Sequence, residues 1–393
     1  MPRRSAARLT VALAVLWLAA GWLNVARGAA HAGPGYRAWS FRHHCYSDVL
    51  ALHGDRYLGG GRPLPYLEDR IEYPVLLGLA LWLPTFWPGG PGRALVHFTL
   101  TYLFLALCLA AALAALFRIP GTSAWWLGAT PALAYYAGLN WDLLPIALLA
   151  GGALALSTGR PAASGALTAL GISAKLFPAA LVPPAAALLG AGPSRGRLRP
   201  FLAALLAGLA AVNLPVALAR FEGWSWFFRY NAGRGAENSL WDSLGVRAGP
   251  LLEVLSAAPL ALASVLGAVA TVRAVRGGGD GGRAARLAGA LALVVWIATN
   301  KIWSPQYALY GFLAGALAAA PPALFLVLSA VSVADFHLAF EVRARAFEPA
   351  FRDGVWHPAN VARALLWLLL AAWIGRALWR AGRADLERGA PAQ

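Results

Sequence analysis

Charge is scarce in this 393-residue sequence. Asp, Glu, Lys and Arg together make up 13% of it, about half the roughly 25% usual in soluble domains, which excludes a water-soluble globular enzyme. Lysine is scarcest, with only Lys175 and Lys301 against 31 arginines. Cys45 and Cys108 are the two cysteines; one falls in a loop and the other in an apolar block, so no disulfide framework is implied. Strands of about ten residues with alternating polarity are missing, which excludes a transmembrane β-barrel. A P-loop, a zinc-protease motif and an Asp-x-Asp metal motif are absent, as is an inverted repeat of the transporter kind. Gly277-x-Gly279-x-x-Gly282 fits the dinucleotide pattern by its letters, but with no preceding strand it reads as a linker.

Apolar residues fill the rest. Hydrophobic side chains make up 59% of the sequence, mostly in blocks of roughly 15 to 22, about the length that crosses a hydrocarbon core of about 30 Å. The blocks run over 9–27, 95–117, 121–139, 141–158, 163–176, 177–190, 200–218, 250–272, 287–300, 304–320, 321–340 and 361–380. A shorter block, 74–88, is closed by Pro84, Pro88 and Pro91. The expected fold is all-α: one polytopic membrane domain over 1–393, with about twelve spans and cytoplasmic termini. Block 74–88 is then a surface or re-entrant helix within the first extracytoplasmic loop, 28–94, and 219–249 and 341–360 are further extracytoplasmic loops. Ala30-His31-Ala32 resembles a processing site, but the apolar stretch before it is long for a signal, so the first helix is expected to be retained.

The net charge of +16 follows this topology. The inner segments hold 16 arginines against three acids, while the loops 28–73, 219–249 and 341–360 hold 12 arginines against 11 acids. An inner surplus of +13 beside an outer +1 orients the chain and attracts anionic headgroups; it requires no nucleic acid. Trp141, Trp224, Trp226, Trp241 and Trp303 read most simply as an interfacial aromatic belt.

Polar residues next to apolar blocks gather on the outer side. They are Cys45-Tyr46-Ser47-Asp48 and Glu72-Tyr73-Pro74 in the first loop, Asn140-Trp141-Asp142, Lys175-Leu176-Phe177-Pro178, and the stretch from Asn300-Lys301 through Ser304-Pro305-Gln306-Tyr307. In so arginine-biased a chain, two lysines beside apolar blocks suggest a compact point charge put to use, although snorkelling to the headgroups would also place them there. Asp48 is the leading candidate base, because its apolar neighbours Val49 and Leu50 raise the affinity of a carboxylate for a proton. Glu72 follows, although a loop acid is usually a solvated ion-pair member. Asp142 suits a partner for Lys175 or Lys301. His43 and His44 lack a third ligand at metal spacing, so no metal is expected. His337, at the outer end of its block, is a candidate substrate contact.

These strings together, from Cys45 through Ser47-Asp48, Pro65-Tyr66 and Glu72-Tyr73-Pro74 to Asn140-Trp141-Asp142, Lys175-Leu176-Phe177-Pro178 and Lys301-x-x-Ser304-Pro305-Gln306-Tyr307, resemble the actinobacterial-type branch of glycosyltransferase family 87. These are GT-C membrane enzymes similar to the polyprenyl-phosphate-mannose-dependent alpha-mannosyltransferases. The resemblance implies a plasma-membrane protein whose active site faces the extracytoplasmic side, and it makes a first-loop carboxylate the base. Asp48, followed by Gly59-Gly60-Gly61 and Tyr66, matches best. The implied partners are a polyprenyl-phosphate-sugar donor, a glycolipid or glycan acceptor and membrane lipids, with no cofactor. Tyr73, Asn140, Ser304, Gln306 and Tyr307 are then expected at the substrate with Glu72, Asp142 and His337. The chemistry is consistent: a lipid phosphate leaves without a general acid but needs cations where its charge develops, which Lys175 and Lys301 supply. The lipid tail calls for a lateral opening lined by apolar helices. Two other readings remain open here: a transporter or flippase of a lipid-linked glycan, which would place its site near the midplane between repeats, and a scaffold with a degenerate site.

Overall fold

The computed structural model of the protein describes residues 3–57, 61–87, 92–192 and 195–383. Gly59, Gly60, Pro88, Pro91, Asp385, Glu387 and Arg388, all marked in the sequence, lie outside the described residues. Among those described, the chain is helical, with isolated bridges only at Pro65–Asp69 and Glu237–Ile302.

The first half runs α1 (Arg3–Ala26), α2 (Tyr36–Arg42), α3 (Asp48–Arg56), α4 (Val75–Trp82), α5 (Arg93–Arg118), α6 (Trp125–Gly128), α7 (Leu133–Tyr136), α8 (Leu143–Ser157), α9 (Pro161–Ala174) and α10 (Val182–Ala191). It is followed by α11 (Leu198–Ala219), α12 (Phe221–Gly233), α13 (Leu240–Ser243), α14 (Pro250–Arg276), α15 (Gly281–Thr299), α16 (Ala308–Ala318), α17 (Pro322–Ala344), α18 (Pro349–Phe351) and α19 (His357–Arg383). Starts follow local chemistry. Ser47 caps α3 by accepting from Val49 N, and Asp280 caps α15 by accepting from Arg283 N. Prolines open α9, α14 and α17, where a missing N–H costs nothing.

Seven of the described helices are long and apolar enough to cross a membrane: Arg4–His31, Arg93–Arg118, Leu198–Ala219, Pro250–Arg276, Gly281–Thr299, Pro322–Ala344 and Pro349–Ala381. At 26 residues, α5 is about 39 Å long. Leu206 and Leu218 on α11, Leu262 and Val265 on α14 and Leu107 on α5 are exposed, giving the body an apolar outer face that only lipid would cover.

The other five expected blocks are not continuous spanning helices. Block 121–139 is split into α6 and α7 around Pro131, and block 304–320 begins with a 3₁₀ turn at Pro305–Tyr307 before α16. Block 177–190 begins with another, Phe177–Leu181. The remaining two, α8 and α9, have 15 and 14 residues, about 22 Å of helix. A proline or an extended residue interrupts or closes four of these five runs, while α8 is continuous but short, and the freed backbone groups find partners inside the protein, as they must in hydrocarbon. Trp17 Nε1, for example, donates to Ala129 O at 3.0 Å.

All of α16 is buried, which makes it the centre of the core. The close approach depends on glycine: a Cβ at Gly315 would lie 2.1 Å from the Trp126 ring, and one at Gly311 would lie 2.2 Å from Trp367. Trp126 is itself pinned, since its Nε1 donates to Ala320 O at 2.9 Å.

Element ends collect at two levels. At one, Asp48 N donates to Leu139 O (2.8 Å), Glu237 N to Lys301 O (2.9 Å) and Trp241 Nε1 to Thr299 O (2.6 Å). At the other, Ser123 N donates to Ala316 O (2.8 Å) and Arg286 Nε to Leu317 O (3.0 Å). The first level holds the site.

Candidate functional site

Two main-chain docking events create the centre of the site. The segment Cys45–Asp48 lies against residues 138–140, with Ser47 Oγ donating to Gly138 O at 2.6 Å and Asp48 N to Leu139 O at 2.8 Å. The segment 300–304 is stapled to 237, with Glu237 N donating to Lys301 O and Trp303 N to Glu237 O, both at 2.9 Å. A buried network backs the second staple. Trp303 Nε1 donates to Asp335 Oδ2 at 3.0 Å, Arg363 pairs with Asp335, and the Arg363 guanidinium lies 4.2 Å over the Trp303 ring.

Asp48 anchors a continuous polar chain. Its Oδ1 accepts from the Tyr46 hydroxyl and its Oδ2 from Asn140 Nδ2, each at 2.7 Å. Asn140 Nδ2 also donates to the Tyr73 hydroxyl at 2.9 Å. Its Oδ1 accepts from Trp141 N at 2.6 Å and from Lys175 Nζ at 3.3 Å, which fixes which way the amide faces. Lys175 then reaches Asp142 Oδ1 at 2.6 Å. Burial pushes the Asp48 carboxyl above its ordinary range, opposed by the bonds from Tyr46 and Asn140 and by the Lys175 charge. Among the described residues no cation stands at ion-pair distance from Asp48, so its carboxylate keeps basicity a salt bridge would remove.

These groups face a cavity of 760 Å³. Asp48, Glu72, Tyr73, Asn140, Lys175, Lys301, Ser304, Gln306 and Tyr307, expected from the sequence, all line it. Two of the expected residues do not. Asp142 lies behind Lys175 with its side chain fully buried, while His337 faces a different hollow. Glu72 lines the cavity but is bonded to Arg56 at 2.9 Å, the ordinary fate of a loop acid. Trp141 and Trp303 are buried rather than belted at an interface.

The two lysines differ. Lys175 Nζ spends two of its three N–H donors on Asn140 and Asp142 and keeps one, with the Tyr73 and Tyr307 rings 5.9 and 5.6 Å away. Lys301 Nζ donates to Glu253 Oε1 at 2.7 Å, and the Glu253 side chain is 57% exposed. Sequence reasoning missed three arginines on the cavity wall: Arg37, Arg234 and Arg343. Arg37 is paired with Asp55 and Arg234 with Glu237. Arg343 bonds only the carbonyl of Ala339, at 2.5 Å, and is a cavity cation with no carboxylate partner among the described residues. Its only sequence signal is a basic residue in the last turn of α17, which the helix dipole would explain equally well.

Pro74, Leu176 and Phe228 are shared with an adjoining groove of 630 Å³ between α9, α11 and α12, lined by residues such as Ile172, Leu214, Leu218 and Phe221. The cavity thus joins a carboxylate, uncommitted N–H donors and an apolar side channel. Compared with known proteins, the chain matches no family model, no curated protein and no solved structure.

Proposed function

We propose that this chain is a plasma-membrane glycosyltransferase of the GT-C kind. It moves a sugar, most simply mannose, from a polyprenyl-phosphate donor to a glycolipid or glycan acceptor on the extracytoplasmic side. The observation that carries this reading is the joining of one cation-free carboxylate, Asp48, to the donors of Lys175 and Arg343 and to an apolar groove in a single cavity. An amphiphile with an anionic head and a hydrocarbon tail fits that combination.

In the proposed reaction the acceptor hydroxyl gives its proton to Asp48 as its oxygen bonds to the sugar's anomeric carbon. The bond from that carbon to the phosphate oxygen breaks, and polyprenyl phosphate leaves with the electron pair. The configuration inverts. Charge that develops on the phosphate is met by Lys175, Lys301 and Arg343, in place before the reaction, and no general acid is required. Tyr46 and Asn140 hold Asp48 in position, and Asp142 holds Lys175.

A twelve-pass topology is supported by the five interrupted or short apolar segments that are interspersed in the chain with the seven long helices. Cytoplasmic termini are supported by the arginines at the level opposite the site, among them Arg118, Arg276 and Arg286. A flippase would set its site between internal repeats; here the polar groups gather instead at helix ends around one cavity.

The test is to reconstitute the full chain in liposomes with radiolabelled polyprenyl-phosphate-mannose and a membrane lipid extract. Label appearing in a new lipid or glycan is expected. Label that crosses the bilayer with its donor chemically unchanged would replace this reading with transport.

A further inference from the structure

The wall behind Asp48 separates the cavity from a second hollow. Phe41, Tyr46 and Phe340 form the wall, with ring centroids 5.0 to 5.7 Å apart. Beyond them lies a space of 620 Å³. Arg27, Arg42, His43, His44 and His337 line it, and Glu341 is the one acid among its lining residues. The proposed transfer reaction uses none of these groups.

The hollow is held in shape by specific bonds. Arg27 Nη2 donates to His43 O at 2.6 Å, and Asn24 Nδ2 to His44 O at 3.1 Å, so the end of α1 clamps the turn after α2. That turn places His44 at φ 50°, a left-handed conformation uncommon outside glycine. The result aims the His44 ring at α17. Its Nδ1 lies 2.8 Å from His337 Nδ1, and its Nε2 lies 3.4 Å from Glu341 Oε2. Two facing ring nitrogens need one proton between them, and the outer nitrogen of His44 is turned to the Glu341 carboxylate. Glu341 is also bonded to Arg345 at 2.6 Å, so its charge is largely spent. Tyr135 closes the space, its ring centroid 5.1 Å from that of His337.

What remains is positive. Arg42 makes no hydrogen bond or ion pair among the described residues, and Arg27, which bonds Asn24 and His43 and lies beside Cys45, has no carboxylate partner among them. No group of three or more His, Cys, Asp or Glu among the described residues is arranged to hold a metal ion, which leaves an anion as the fitting occupant. Ala20 and Asn24 line the hollow from α1, and on that helix Val15, Leu16 and Leu23 are 60%, 54% and 65% exposed. Cationic groups thus meet a bare apolar helix face, the arrangement that suits an anionic lipid.

We propose that this hollow binds the phosphate-bearing headgroup of a membrane lipid between Arg27 and Arg42, with the acyl chains along α1, and that protonation of the His44–His337 pair tightens the binding. The site does not rest on the transfer reaction.

The test is native mass spectrometry of the detergent-solubilised full chain with phosphatidylglycerol, phosphatidylcholine or inorganic phosphate, at about pH 5.5 and about pH 7.5, on either side of the histidine range. Wild type is expected to retain phosphatidylglycerol in preference to phosphatidylcholine, and more tightly at the lower pH. Arg42→Gln, which breaks no structural bond, is expected to weaken retention about fivefold, and Arg42→Glu more. His337→Gln is expected to reduce the pH dependence. Arg343→Gln, across the aromatic wall, is expected to leave this lipid bound. Equal retention of both lipids, or of phosphatidylglycerol by wild type and Arg42→Glu, would overturn the proposal. Displacement by inorganic phosphate without any lipid preference would also overturn it, by assigning the hollow to a soluble anion.

Discussion

Replacing Lys175 by methionine should destabilise this protein far more than the same change at Lys301. Lys175 neutralises Asp142, whose side chain is fully buried and whose Oδ2 has no hydrogen-bond partner among the described residues. Removing the ammonium leaves a carboxylate that neither water nor another cation reaches, at a cost of about 3–5 kcal/mol. Lys301 pairs with Glu253, which is 57% exposed and rehydrates when released, so Lys301→Met is expected to cost about 1 kcal/mol or less. The double variant Asp142→Asn/Lys175→Met leaves no stranded charge and should recover most of the stability, yet it lacks the N–H donor that faces the cavity. Unfolding of the detergent-solubilised chain in SDS, followed by tryptophan fluorescence, measures the energies, and sugar transfer from labelled donor measures the proposed activity. Stability recovered with transfer still lost separates the two roles of Lys175. A cost near that of Lys301→Met would refute the buried-pair argument, and a double variant with wild-type transfer would remove Lys175 from the chemistry.

Three further outcomes are expected. Burial, together with the Arg93 charge, pushes the His53 imidazole down to about 4. It therefore folds neutral, and an unfolded chain that protonates near 6.5 draws stability away as pH falls between those values, by about 3 kcal/mol in all; thermal unfolding across that range should show the loss, and His53→Leu should shrink it. Gly315→Ala puts a Cβ 2.1 Å from a pinned Trp126 and should cost about 1–3 kcal/mol, whereas Gly375→Ala, with open space around it, should cost nothing in the same unfolding assay. Tyr46→Phe removes a 2.7 Å bond that favours ionised Asp48, so the acid limb of the transfer-rate profile should move to higher pH with little change in donor binding.

Composition alone made the helical membrane class legible, because lipid contact demands long apolar blocks and few charges. The seven long helices follow those blocks closely. The interrupted segments do not, since hydropathy cannot tell a continuous helix from apolar chain that turns at Pro131, at Lys175 or at Pro305 inside a protein interior. The site was legible wherever a polar residue interrupted an apolar run: Asp48, Asn140, Lys175 and Lys301 all line one cavity. Arg343 was not, because one arginine among 31 carries no signal until its lack of an acid partner is seen in three dimensions. The partners of Asp142 and Glu72 also needed the fold, since Lys175 and Lys301 were equal candidates for Asp142 and the loop arginines balanced the loop acids. His337 stood at the right level of its helix, but the Phe336–Phe340 side of α17 separates it from the cavity.

The central claim is that Asp48 is the base of a sugar-transfer reaction, and Asp48→Asn tests it most directly. The amide fits the same space between Tyr46 and Asn140, so the fold and binding of a radiolabelled polyprenyl-phosphate-mannose donor should persist in the reconstituted chain. Transfer to acceptor should fall by about 10²–10⁴-fold. Transfer at the wild-type rate by a correctly folded Asp48→Asn protein would contradict the account and place the base, if there is one, elsewhere.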